Sequence, residues 1–131
     1  MISESTKTQV RERAGNRCEY CQLHQGDSPL AVLHIEHILP KKHGGSDEMD
    51  NLALACIDCN LHKGPNLAGI DPQTDELTEL FHPRRQQWDA HFAWDGITIV
   101  GRTAIGRTTV RVLEMNSDDQ LELRSSRRER S

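Results

Sequence analysis

Residues 34–63 read HIEHILPKKHGGSDEMDNLALACIDCNLHK. His34, His37 and His43 stand around Glu36, a Gly44-Gly45 loop and an Asn51-Leu52 step follow, and Cys56-x-x-Cys59 leads into His62 and Lys63. Buried polar and ionisable groups cost free energy unless they are paired or bound to metal. A plain core segment has no use for this mixture, so it marks a site where a metal ion or an anionic substrate supplies the missing partner. A second pair, Cys18-x-x-Cys21, lies upstream, and the two-residue spacing lets both thiolates of a pair point at one ion. Together the four cysteines predict a closed tetrahedral zinc site, structural because it leaves no position for substrate. Residues 22–55 separate the pairs, a gap longer than compact zinc spacings, so the polar cluster is an insert held between two knuckles. Disulfides or a redox pair are the competing reading, and the latter requires exposed thiols of low pKa.

The remaining groups suit phosphodiester hydrolysis. That reaction needs a nucleophilic water, neutralisation of the charge that builds on the phosphoryl oxygens, and help for the departing 3′ oxygen. A histidine titrating near neutral pH serves the first need, and a divalent ion held by oxygen serves the others as Lewis acid and clamp. Glu36 and the side-chain carbonyl of Asn60 are hard oxygen ligands for Mg2+ or Mn2+, while an adjacent imidazole, from His34 or His62, adds affinity for Mn2+, Ni2+ or Zn2+. Lys63 can meet a phosphate oxygen as a point charge. Each has a plainer role beside the chemical one: His34 as a polar strand residue, Asn51 as a turn residue, His62 and Lys63 as helix-surface groups.

These residues need elements to hold them. Residues 5–14 predict a helix with Ser5 or Thr6 as its cap and Gly15 as its stop, delivering the first cysteine pair. Residues 22–29 are a polar loop. Residues 30–36 predict a strand in which Leu30, Val32, His34 and Glu36 share a face. Pro40 and Gly44-Gly45 break it, and 41–50 is a loop crossing back. Residues 51–56 predict a second strand, and Asp58 caps a helix that carries Asn60 and Lys63 on one face. Residues 64–76 hold two prolines and two glycines and predict a long irregular excursion. A short strand follows at 77–81. Residues 84–94 predict a helix with Trp88, His91 and Phe92 as its buried stripe, then a strand at 97–100. The stretch 103–115 fits both strand and helix and is taken as a helix ended by Asn116. A short charged helix starts at Leu121, with residues 125–131 as a frayed polar tail. His82 and His91 read as packing residues, Trp88 and Phe92 as core rather than base-stacking groups, and His24 and His43 as exposed.

The chain has 131 residues, 35% of them hydrophobic, with two Trp, one Tyr and two Phe. That supports a single domain over 1–131 whose core is small enough to need a structural metal. No apolar run approaches the eighteen or so residues of a bilayer span, so the expectation is a soluble, cytoplasmic protein with no membrane partner, where C-x-x-C pairs favour metal over disulfide. The net charge of −4 argues against a protein that coats nucleic acid. Basic residues still gather locally, at Lys41-Lys42-His43, at Arg84-Arg85 and at Arg102, Arg107 and Arg111, while acid collects at 47–50 and 71–79.

Glu36-His37-Ile38 with Pro40, then Gly44-Gly45, Asn51-Leu52, Cys56-x-x-Cys59-Asn60 and Lys63, resemble the HNH endonuclease motif, a ββα-metal unit, in the variety flanked by two C-x-x-C pairs. The resemblance implies an α+β fold: a zinc-stapled HNH core over 5–64, an N-terminal helix and a C-terminal accessory region over 77–124. It implies a nuclease acting on DNA and leaving 5′-phosphate and 3′-hydroxyl ends, with His37 as general base, Glu36 and Asn60 as ligands of the catalytic ion, and Asn51 steadying the loop. Two positions depart from the usual pattern: glutamate replaces aspartate before the histidine, and Asn60 stands where histidine is common. RNA carries the same bond and stays open as a substrate. Cleavage of both strands by a one-site enzyme favours a homodimer. The rival expectation is a non-catalytic zinc module that binds nucleic acid or protein.

Overall fold

The computed structural model describes residues 2–28 and 31–130, with the side chains of 128–130 left aside. The first helix, α1 (Glu4–Arg13), is capped by Ser3, whose hydroxyl oxygen accepts the Thr6 N–H at 3.1 Å. Ser5 and Thr6, the expected caps, lie inside the first turn, and Gly15 stops the helix at φ +62° as expected. Only Val10 of α1 is buried. The helix is fastened instead by guanidinium-to-carbonyl bonds, Arg11 to Leu33 O at 3.0 Å and Arg13 to Met49 O at 2.8 Å.

β1 (His34–His37) pairs antiparallel with β2 (Leu52–Ala55), with Glu36 opposite Ala53 and His37 opposite Leu52. Leu30, expected at the start of the first strand, lies outside the described residues together with Pro29. Residues 31–33 stay out of the ladder because other groups claim their backbone: the Gln25 side-chain oxygen accepts the Leu33 N–H at 2.8 Å, and Arg11 takes Leu33 O. All four residues of β2 are buried, since α1 and the accessory region leave neither face to solvent. α2 (Ile57–Lys63) follows, and its cap is Cys56, whose Sγ accepts the Cys59 N–H at 3.4 Å, rather than Asp58. The second knuckle thus doubles as a helix start.

Beyond α2 the expected irregular stretch contains a strand, β3 (Ala68–Ile70), which pairs with β4 (Leu77–Glu79). Asp71 organises the turn between them: its carboxylate accepts from Gln73 N, Thr74 Oγ1 and the Arg107 guanidinium. The helix expected over 84–94 shrinks to four residues, α3 (Trp88–His91), and the chain then enters β5 (Phe92–Asp95), paired with β6 (Thr98–Gly101). Two features override the helical spacing. Residues 82–86 close into a tight turn after Pro83, and Asp95-Gly96, with Gly96 at φ +62°, makes the reversal of a hairpin. α4 (Ala104–Val112) is the expected helix, capped by Thr103. After it, Asn116 pairs both ways with the Ile99 backbone at 2.8 Å. α5 (Asp118–Arg130) starts before Leu121 and continues through the stretch expected to fray, with Ser131 outside the described residues.

The architecture is α+β: small antiparallel strand pairs among helices, around a four-cysteine cluster. Its buried core runs from Tyr20, Leu33, Leu52 and Leu54 to Phe81, Phe92, Ile99, Leu113 and Met115, so accessory side chains pack on those of the ββα unit. Phe81 is the hinge of that packing, meeting Tyr20 and Phe92 edge-on at centroid distances of 6.5 and 5.1 Å.

Candidate active site and metal centre

The two knuckles meet. Cys18, Cys21, Cys56 and Cys59 are buried and their sulfurs lie within 4.8 Å of one another, Cys21 and Cys56 at 3.6 Å. None of the four is in a disulfide, and 3.6 Å is far beyond a disulfide bond of about 2.05 Å. It matches the sulfur spacing of about 3.8 Å that a tetrahedral ion with bonds of about 2.3 Å requires. Backbone amides of Cys21 and Cys59 point at the Cys18 and Cys56 sulfurs, each at 3.4 Å, and the Gln120 amide of α5 reaches Cys56 Sγ at 3.5 Å. Burial pushes the Cys18 thiol up, contact with the other three sulfurs pushes Cys59 up, and the same contacts hold Cys56 down. Four buried sulfurs bridged by weak S–H donors lack an adequate partner among themselves, and this donor set is that of a structural zinc site.

Glu36 and His37, adjacent on β1, turn to opposite sides. Glu36 is 6% exposed and faces inward, where the Tyr20 hydroxyl donates to one carboxylate oxygen and Lys63 Nζ lies 3.3 Å from the other. Lys63 is itself 2% exposed and donates to Ile38 O at 2.9 Å, so it is a buried cation and no helix-surface charge. Burial pushes the Glu36 carboxyl up, against the pull of Lys63 and Tyr20. His37 is half-buried on the other side, with Nε2 at 2.7 Å from Asp47 Oδ1. The same oxygen meets Lys41 Nζ at 3.0 Å, and His37 and Lys41 together hold the Asp47 carboxyl well below the usual range.

A buried carboxylate beside an imidazole, between two fused cysteine knuckles, is the arrangement that comparison with known proteins addresses. Residues 18–66 match the HNH endonuclease family. This stretch is similar to an HNH endonuclease domain. Along most of its length the chain is also similar to the Septu protein PtuB of Bacillus thuringiensis, 27% identical over 117 residues, which is 88% of this chain and 42% of that protein. The chain therefore spans less than half of the relative it matches. No solved structure matches. No helix among the described residues is long and apolar enough to cross a membrane.

Within the HNH segment the other expected site residues are placed as follows. Asn60 is half-buried on α2, one turn before Lys63, and its side-chain amide has no partner among the described residues. His34 is exposed at the start of β1. His62 turns to the α4–α5 junction, Nε2 lying 3.2 Å from Glu114 Oε2. The structure thus joins Glu36, Lys63 and Tyr20 into one cluster and His37 and Asp47 into another. Tyr20 and Asp47 were invisible as site residues, although Tyr20 sits inside the first knuckle and Asp47 directly after Gly-Gly-Ser. The donors fit a hard divalent ion: a carboxylate offers about four lone-pair directions, Tyr20 and Lys63 use two, and the Asn60 amide is unclaimed.

Asn51 binds the loop that returns from β1. Its Oδ1 accepts the Leu39 N–H at 2.8 Å, and its Nδ2 donates to Leu39 O at 3.1 Å and Ser46 O at 2.8 Å. Gly45 is needed for this closure, because a Cβ there would collide with Leu39 O and lie 2.9 Å from Asn51 Nδ2. Asn51→Ala is expected to cost about 2–3 kcal/mol, since three backbone groups lose their partner at once. A urea unfolding midpoint equal to that of the parent chain would show that water replaces the amide.

Proposed function

We propose that this chain is a metal-dependent endonuclease that hydrolyses DNA phosphodiester bonds at the end of β1. The observation that supports this most is the placement of Glu36 and His37, neighbours in sequence and on opposite sides of one strand, inside the segment that matches the HNH endonucleases. With Nε2–H donated to Asp47, the neutral His37 ring keeps a lone pair on Nδ1. That nitrogen accepts the proton of the attacking water, and Asp47 orients the ring and stabilises the imidazolium that forms. Glu36 and Asn60 would hold the divalent ion, which when bound supplies charge neutralisation at the phosphoryl group and at the leaving 3′ oxygen. Lys63 and Tyr20 position Glu36, which assigns Lys63 to the carboxylate rather than to the phosphate. Asn51 fixes the loop carrying Asp47 against the strand carrying His37.

The test is conversion of supercoiled plasmid to open circles by the purified zinc-loaded chain, with Mg2+, Mn2+, Ni2+ or no added ion, beside elemental analysis. Nicking that requires the added ion, while zinc stays near one per chain, is the expected result. A folded, zinc-loaded protein that nicks with none of them overturns the proposal in favour of a non-catalytic zinc module.

A further inference from the structure

Residues 82–86 form a turn on their own backbone: Arg85 N–H and Gln86 N–H both donate to His82 O, at 3.2 and 3.0 Å, and Gln86 Oε1 accepts the His82 N–H at 2.9 Å. The turn sends two consecutive arginines in different directions. Arg84 goes inward to the Glu19 carboxylate in the first knuckle, and burial lowers its pKa to about 10. Arg85 is exposed, with no side-chain partner among the described residues. Beside them the His82 Nδ1 accepts the Arg84 N–H at 3.2 Å, so the neutral ring carries its proton on Nε2, and no described residue takes that proton. Burial and the nearby Arg85 keep the His82 pKa below its ordinary value, which favours this neutral donor form.

Two cavities, of about 250 and about 370 Å³, share Leu39, His82 and Arg85. Ile38 and Lys63 line the first, and Gly44, Ser46 and Asn51 line the second. They make a trough along the HNH segment from α2 to the Gly-Gly loop, with His82 and Arg85 on the wall contributed by the accessory region. Two carboxylates also border it, Glu79, which accepts from Gln86 Nε2 at 3.4 Å, and Asp50 at the far end.

We infer that His82 and Arg85 bind a backbone phosphate of the DNA strand beside the one that is hydrolysed. A guanidinium fork meets two non-bridging oxygens and a neutral imidazole N–H meets a third contact without adding charge. The inference rests on the nuclease reading, because the trough borders Lys63 and through it Glu36. It predicts different signatures for the two residues. In fluorescence anisotropy of a labelled DNA duplex with the full zinc-loaded chain over a series of KCl concentrations, R85A is expected to weaken binding about tenfold and to reduce the slope of log K against log salt by about 1. H82A weakens binding with the slope unchanged, and H82Q, which restores an N–H donor at similar reach, recovers it. Arg85 is exposed and unpaired, so R85A carries the test even where H82A lowers the melting temperature. Affinity and salt slope equal to the parent chain in R85A, in a protein that still nicks plasmid, overturn the inference and leave the nuclease reading standing. A parent chain that binds DNA and loses slope in R85A, yet fails to nick plasmid with Mg2+, Mn2+ or Ni2+, overturns the nuclease reading and keeps the trough.

Discussion

Stripped of zinc, the chain is expected to lose cooperative tertiary structure altogether, and Cys59→Ala is expected to do the same without a chelator. Structural zinc in small domains contributes an apparent binding free energy of about 10–16 kcal/mol at neutral pH, against a total stability of about 5–15 kcal/mol for a typical domain. The balance leaves nothing for a metal-free fold. The positions of the four sulfurs explain why the loss cannot stay local. The first knuckle carries Glu19, which takes Leu54 N–H at 2.8 Å and the Arg84 guanidinium, and Tyr20, whose hydroxyl meets Glu36 and whose carbonyl accepts the Trp88 indole N–H at 2.7 Å. The second knuckle caps α2 and receives Gln120 of α5. Releasing the ion therefore frees β2, the Glu36 cluster, the accessory region and the last helix together. Near-ultraviolet circular dichroism and a thermal melt, followed as a strong chelator withdraws zinc, check this. A C59A protein that melts cooperatively within a few degrees of the parent, with no bound zinc, would show that the apolar core suffices.

That dependence also explains what could be read from the sequence. The cysteine site was legible because coordination is a local demand, and the spacing of each pair already satisfies half of it. The two strands on either side of the Pro40 and Gly44-Gly45 break were legible, expected over 30–36 and 51–56, while the start of the first at His34 was set by the claims of Gln25 and Arg11 on the Leu33 backbone. Glu36 and His37 could be singled out, but their partners could not: Tyr20 and Asp47 reach them through a knuckle and a loop whose approach is set by tertiary packing. The same limit produced the failed helix over 84–94. Trp88, His91 and Phe92 satisfy a helical stripe, yet they also pack as observed, with Trp88 against Phe92 and Trp94 at centroid distances of 5.1 and 5.7 Å across a helix-to-strand junction. The Asp95-Gly96 turn signal was present in the sequence and outweighs the periodicity. The strand at 68–70 was hidden for a different reason, since the residue that stabilises its turn, Asp71, is held by Arg107 from far along the chain.

His37→Ala is expected to reduce plasmid nicking by about a thousandfold, within the range of about 10²–10⁴ that a positioned proton acceptor contributes. It should leave the melting temperature nearly unchanged, because the half-buried ring makes one side-chain bond and its loss leaves Asp47 still paired with Lys41. Asp47→Asn is expected to act through the histidine: an amide that offers N–H as well as C=O no longer dictates which ring nitrogen carries the proton, and a loss of about tenfold to a hundredfold follows, smaller than for a fully buried partner. The two changes test each other. If Asp47 works only by orienting His37, the double variant nicks no more slowly than His37→Ala alone, because the oriented group is already gone. Losses that multiply instead would place Asp47 on the substrate or its ion, and nicking by His37→Ala within threefold of the parent rate would remove His37 from the chemistry.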